Sequence, residues 1–337
     1  MKNKSLFKDL YTLIPFMVSG LLCIGLIFVL LNRLESNASF IKVLEGLSNI
    51  FMSISGFLAV FIMICLIFLT LTIKDRKSKM IDSLGLVTEK MHRVRSIVDL
   101  LLSSNLWLPG LKEYIDLEFS GLSYFDVKEF YKGRSKLAIE FLQENNHFGD
   151  TETLYLELKS LLMTKVKEKR LPRKITFPTV YSRDIVLKWI EHKCGSGLMY
   201  YFGYKYGVFK EMLNLKNVSE IHQDKIMKLA LEIDKEEFED SSFNEVFFSK
   251  LGDYITKDIM PQLFRLHDKV KTGLTPAMKY LYVLFLVLIF FGLLVPLAYV
   301  LFSISVLFLI ISYALVISII FFITTTFYGF LTNEINS

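Results

Sequence analysis

Residues 46–79 read GLSNIFMSISGFLAVFIMICLIFLTLTIKDRKSK: twenty-eight positions without a charge, then four cations within six. A bilayer's hydrocarbon core is about 30 Å thick and needs about 20 apolar residues as a helix. A segment in lipid must also pair every backbone N–H and C=O internally, which a helix does and an isolated strand does not. Gly46–Ile73 is therefore read as a membrane-spanning helix, and Lys74, Arg76, Lys77 and Lys79 as its cytoplasmic edge.

The same test applied outward finds two more blocks. Leu10–Asn32 has 23 uncharged residues and Tyr280–Asn333 has 54, enough for one span and two. The expected fold class is an all-α membrane protein with four transmembrane helices, two N-terminal and two C-terminal. Its expected divisions are an N-terminal hairpin over 1–73 (spans about 10–32 and 48–73), a helical cytoplasmic domain over 74–279, and a C-terminal hairpin over 280–337 (spans about 280–301 and 305–330). Lys2, Lys4 and Lys8 precede the first span, and Arg265, Lys269, Lys271 and Lys279 precede the third. By the excess of cations on the inner side, both termini and the middle region face the cytoplasm of a plasma (inner) membrane. The first block is too long for a cleaved leader and has no small-residue cleavage site after it. Asn37-Ala38-Ser39 is a glycosylation triplet in the predicted outside loop, a match that chance supplies often. The lysine-, isoleucine- and asparagine-rich composition has a bacterial character.

The middle region carries 34 basic and 30 acidic residues, a balance without a nucleic-acid signature. Of three cysteines, Cys23 and Cys65 lie in spans and Cys194 stands alone, so there is no disulfide framework or zinc spacing. From Met80 the apolar positions run Met80, Leu84, Val87, Met91, Val94, Val98, Leu101, an alternation of four and three that predicts a helix continuing out of the second span. That seam packs either against the protein's own domain or against a neighbouring subunit. The flanking Ile81, Ser83, Thr88, Lys90, Arg95, Ile97 and Leu102 lack the opposed charges that specify coiled-coil pairing. Further helices are expected to start at Asp150 or Thr151, at Ser182, near Asn217 with Glu220 three residues on, and at Pro261. RLPRKITFPTVYSR, 170–183, reads as a long loop.

Residues 191–209, EHKCGSGLMYYFGYKYGVF, resemble a cation-channel filter in composition. A filter needs its carbonyls at mid-membrane, and the nearest spans are more than seventy residues away, so that reading is excluded. No Gly-Lys-Ser/Thr follows for a phosphate loop, and His192 with Cys194 is only half a metal site. The expectation is a helix cap at Gly195 and Gly197, then an aromatic helix whose Tyr200, Tyr201, Tyr204 and Phe209 pack in the core or at a bilayer or subunit surface. His267-Asp268 suggests a His–Asp metal phosphohydrolase, but no aspartate follows Asp268 to complete the ligands. No catalytic constellation and no cofactor motif stands out, so the residues point more to a non-enzyme than to an enzyme, with no cofactor expected.

Two basic clusters remain as contact candidates. One is Lys74, Arg76, Lys77 and Lys79. The other is Lys165, Lys167, Lys169, Arg170, Arg173 and Lys174, with the acidic run 232–240 (EIDKEEFED) as a possible counterpart within the domain or in a neighbouring subunit. Clusters of this size near a membrane attract anionic lipid, and the second is open equally to lipid, an acidic protein partner or an RNA. The spans hold no ionisable side chain of the kind that proton-coupled transporters and voltage sensors require. Their small and hydroxyl residues, Ser305, Ser312 and Thr326 among them, pack helices or line a pore. The leading functional expectation is a homo-oligomeric pore or membrane-perturbing effector gated by its helical domain. Against it stands a non-conducting anchor presenting that domain to a cytoplasmic protein partner. A lipid-acting enzyme comes third.

Overall fold

The computed structural model describes residues 10–37, 39–130, 135–144, 148–168, 170–270, 276–302 and 304–335. Those residues are helical or irregular, with no strand among them. The chain divides into two units, one of residues 1–76 with 272–337 and one of residues 77–271.

The first unit holds helices α1 (Leu10–Ser36), the start of α2 (Phe40–Ser103) and the C-terminal elements described below. Among the described residues four helices are long and apolar enough to cross a membrane: Ile14–Ser36, Phe40–Ser103, Met278–Phe302 and Val306–Thr326. Their buried positions form narrow seams. Leu44, Leu309, Ile310 and Tyr313 make one cluster and Ala59, Ile62, Leu284, Leu288 and Val316 another. Elsewhere the surfaces are apolar and open, and Phe28, Phe57, Phe68 and Phe302 remain 70–75% exposed. Such a ring of outward aromatic and aliphatic side chains suits lipid as the solvent.

The second unit, the lobe, begins within α2. Leu84, Val87, Met91, Val94, Val98 and Leu101 of the predicted seam are buried in the lobe's own core, with Met80 half-buried at its edge. Ile97, Leu102 and Thr88 are buried beside them, so the apolar face is wider than a two-stranded seam. Around α2 lie α3 (Leu111–Glu113), α4 (Tyr124–Glu129), α5 (Lys136–Gln143), α6 (Thr151–Leu161) and α7 (Arg183–Glu191). Then come α8 (Ser196–Leu198), α9 (Tyr206–Phe209), α10 (Glu220–Ile233), α11 (Lys235–Phe238), α12 (Glu245–Tyr254) and α13 (Met260–Val270). Back in the first unit are α14 (Pro276–Ile289), α15 (Val295–Phe302) and α16 (Val306–Ile335). The helix starts are chemical. Ser182, Asn244 and Asp234 each accept from a backbone N–H three residues on, and Ser123 with Asp126 forms a reciprocal capping box.

Two expected starts resolve differently, and α6 begins at Thr151 as expected but without a side-chain cap from Asp150. α10 is preceded by Ser219, and Asn217 ends a 3₁₀ turn instead of capping it. At α6, Asp150 precedes the first turn in a left-handed conformation, and the Phe148 N–H is taken by the Glu152 carboxylate at 3.0 Å. Pro261 does not open a new helix, because α12, a π turn over Ile255–Ile259 and α13 run on without a break. The same order recurs in the third span, where α14 passes through a π turn at Phe290–Leu294 into α15 and Pro296 is its second residue. A proline inside an α-helix clashes with the carbonyl four residues back and lacks the N–H to bond it. A preceding π turn takes that carbonyl out of register, so the helix survives the proline.

Candidate functional site

The stretch 191–209 is where the lobe's unusual chemistry gathers. α7 closes with Lys193 in the left-handed region (φ 52°) and Cys194 N–H donating to Trp189 O at 2.9 Å. Gly195 (φ 94°) therefore opens the next helix and does not cap the last. The tight turn aims two N–H groups at one carboxylate, with Gly195 and Gly197 donating to Glu157 Oε1 at 2.6 and 2.8 Å. Burial pushes this carboxyl up to about 7, against the pull of the two glycine N–H groups, the Tyr124 hydroxyl and Lys128. Cys194 is buried beside it, and burial, then the neighbouring Glu157, raises its thiol well above the ordinary range. A thiol so held is inert as a nucleophile. The cluster closes a turn.

The aromatic half of the stretch divides. Tyr201 and Phe209 are buried, whereas Tyr200 and Tyr204 are exposed, Tyr204 by 73%. After α8 a π turn, Met199–Tyr204, packs against α12, and Gly203 allows a close approach there, since a Cβ would lie 2.4 Å from Ser249 Oγ and force that hydroxyl aside. The two walls flank a groove of about 1080 Å³ lined by Tyr204, Tyr206 and four acids, Glu237, Glu245, Asp253 and Asp258, against two lysines, Lys250 and Lys257. Glu237 pairs with Lys250 at 3.1 Å and Asp253 with Lys257 at 2.8 Å. Glu245 and Asp258 have no ion pair among the described residues.

The second basic cluster sits on the long loop between α6 and α7. Its spine is pinned to the lobe. Leu171 N–H donates to Ser120 O at 2.7 Å, and His92 Nε2, which must carry the proton against a carbonyl, donates to Pro178 O at 3.0 Å. Arg95, fully buried, donates to Leu161 O (3.0 Å), Leu162 O (2.5 Å), Thr176 O (2.6 Å) and the Tyr181 hydroxyl (2.9 Å). Two of those acceptors are the last carbonyls of α6, where a cation meets the negative end of the helix. Lys165, Lys167, Arg170, Arg173 and Lys174 point outward, none with an ion pair among the described residues, and Phe177 and Val180 are exposed beside them. Lys169 lies outside the described residues. Four acids of the run 232–240 are engaged elsewhere, Glu232 with Arg93 (3.1 Å), Asp234 with Lys90 (3.2 Å), Glu237 with Lys250 and Glu239 with Lys235, while Glu236 and Asp240 are exposed with no ion pair among the described residues. Lys90 also donates to the Tyr254 hydroxyl, which donates to Asp234 at 2.6 Å.

The first basic cluster, Lys74, Arg76, Lys77 and Lys79, is exposed along α2. Of the span hydroxyls, Ser312 is buried and donates to Phe291 O inside the π turn, Thr326 donates to Phe322 O and meets the Tyr280 hydroxyl at 3.1 Å, and Ser305 is exposed ahead of α16. His267 and Asp268 lie on α13, with Asp268 paired to Arg183 at 2.8 Å. No group of three or more metal-ligating side chains occurs among the described residues. Arg95 and Glu157 were missed by sequence reasoning. Arg95 had one faint signal, a cation interrupting a broad apolar face, and Glu157 had none. No family model, curated protein or solved structure matches the chain.

Proposed function

We propose that the chain is an inner-membrane anchor protein, with termini and lobe in the cytoplasm, that works by presenting the lobe to a protein partner and does not itself conduct ions. The observation that carries this reading is how the spans spend their hydroxyls. Ser53, Thr70, Thr72 and Ser318 each donate to a carbonyl four residues back, and Tyr313 donates to Leu44 O at 3.0 Å. Ser55 is the exception: it is buried where Gly292 crosses it, and its hydroxyl has no hydrogen-bond partner among the described residues. At about 100° per residue, Ser53, Thr70 and Thr72 point to three different sides of α2. They form no stripe from which adjoining copies could build a wet channel. Helix contacts of small and hydroxyl residues are the ordinary means of packing in lipid.

The competing reading, a pore gated through the unbroken α2, makes the opposite prediction in one experiment. Purified protein reconstituted in dye- or ion-loaded liposomes is expected to release no more than empty liposomes do. Flux that rises with protein density would overturn the anchor reading in favour of the pore. Cysteines placed at Lys77 and Lys225 are expected to label from the same side of the membrane.

A further inference from the structure

We propose that the cationic loop of one copy docks in the acidic, tyrosine-rimmed groove of a second copy, so that the lobes associate head to tail. The inference rests on the lobe being a binding module, and it names the partner.

Three observations lead to a second copy. First, the lobe carries two surfaces of opposite sign that it leaves unneutralised. Lys165, Lys167, Arg170, Arg173 and Lys174 lack ion pairs, and so do Glu245 and Asp258 at the groove, among the described residues. Second, four of the six acids of 232–240 are held by Lys90, Arg93, Lys235 and Lys250, and none of the six pairs with a loop cation among the described residues. Third, the apolar chemistry also matches. Phe177 and Val180 are exposed beside the cations, and Tyr204 and Val246 are exposed at the groove. Arginine and lysine over tyrosine faces gain cation–π attraction in addition to the ion pair.

The loop is built to keep that shape. Arg95, His92 and Leu171 fix its backbone from beneath, so docking does not have to order a free segment. Because the two surfaces differ, the contact is heterologous, and repetition gives a ring if the rotation closes.

The test is charge exchange in full-length protein in detergent, with particle mass measured by light scattering at about 50 mM and about 500 mM salt, since screening is strong at the higher value. Wild type is expected to associate at low salt and to fall apart at high salt. The loop variant R170E/R173E/K174E and the groove variant E245K/D258K are each expected to associate at least about tenfold more weakly. Mixing the two variants restores association, because each supplies the surface the other can bind. A wild type that is monomeric at both salts, or a mixture that stays monomeric, overturns the proposal. So does a loop variant that loses only co-purifying acidic phospholipid or RNA while its mass is unchanged. Lobe fluorescence confirms folding, and the milder pair Arg173→Gln and Tyr204→Ser serves if a charge reversal unfolds. Liposome flux from wild type would sink the anchor reading and leave the docking intact, whereas a salt-independent monomer does the reverse.

Discussion

The two units bury polar chemistry by opposite rules. The lobe encloses ionisable groups, Arg95 and Glu157, and meets each with backbone groups at a helix end: carbonyls closing α6 for the cation, glycine N–H groups opening α8 for the carboxyl. The spans enclose nothing stronger than a hydroxyl, turned back on the carbonyl one turn earlier at Ser318 and Thr326 and passed to a neighbouring helix's carbonyl at Ser312 and Tyr313. Both rules follow from the solvent. A water-facing lobe folds by removing apolar surface from water, and that gain offsets a few well-paired buried ions. Lipid offers no such gain to helix association, so spans depend on close packing and cannot carry the cost of an ion. The π turn followed by proline appears in both units, because it answers a backbone problem that does not depend on solvent.

The contrast can be broken in four ways. Both tryptophans, Trp107 and Trp189, are buried in the lobe, so their fluorescence reports that unit alone, while circular dichroism reports the whole. Arg95→Met leaves two helix-end carbonyls and the Thr176 carbonyl without their donor and is expected to cost about 4 kcal/mol. The lobe's fluorescence transition should then move to much lower denaturant while span helicity persists. If both units melt together, the division into two rules fails.

Glu157→Gln is the next largest. The wild-type carboxyl is raised from 4.5 to about 7 by folding, so the native lobe holds this proton more tightly than the unfolded chain does. Its contribution is fully present below pH 4.5 and is lost as pH rises to about 7, a decline of about 3 kcal/mol. The amide does not ionise, so stability measured across pH 5 to 7 should lose that slope. An unchanged slope would place the titration elsewhere.

In the spans, Gly292→Ala puts a Cβ 2.4 Å from Ser55 Cβ. Overpacking of this kind costs about 2 kcal/mol. It should lower the thermal midpoint seen by circular dichroism and leave lobe fluorescence unmoved, and Ser55→Gly in the same chain should restore it. The smallest effect is expected from Lys90→Met, which removes a partly exposed ion from the Asp234–Tyr254 group at about 1 kcal/mol. High salt should reduce that difference further.

The spans were legible from the chain because lipid imposes one condition on every residue in turn, and an uncharged run satisfies it visibly. The α2 stripe from Met80 to Leu101 was legible as a buried face for a related reason, helical periodicity. The candidate surfaces were half legible. The cations of 165–174 stood out in composition, but that they are unpaired depends on where Lys90, Arg93, Lys235 and Lys250 reach. The role of YFGYKYG as one wall of a groove depends on Gly203 meeting Ser249, a contact between residues 46 positions apart.

The amino-acid sequence alone thus determined four apolar helices and a helical middle region, since hydropathy and periodicity are sums over neighbours along the chain. The tertiary structure alone decided that the seam closes on its own lobe, that Arg95 and Glu157 are capped by distant helix ends, and that Ser312 holds a π turn. Those outcomes turn on pairings between residues far apart in sequence, where an ångström of approach sets whether a polar atom is satisfied, and no local pattern encodes such a distance.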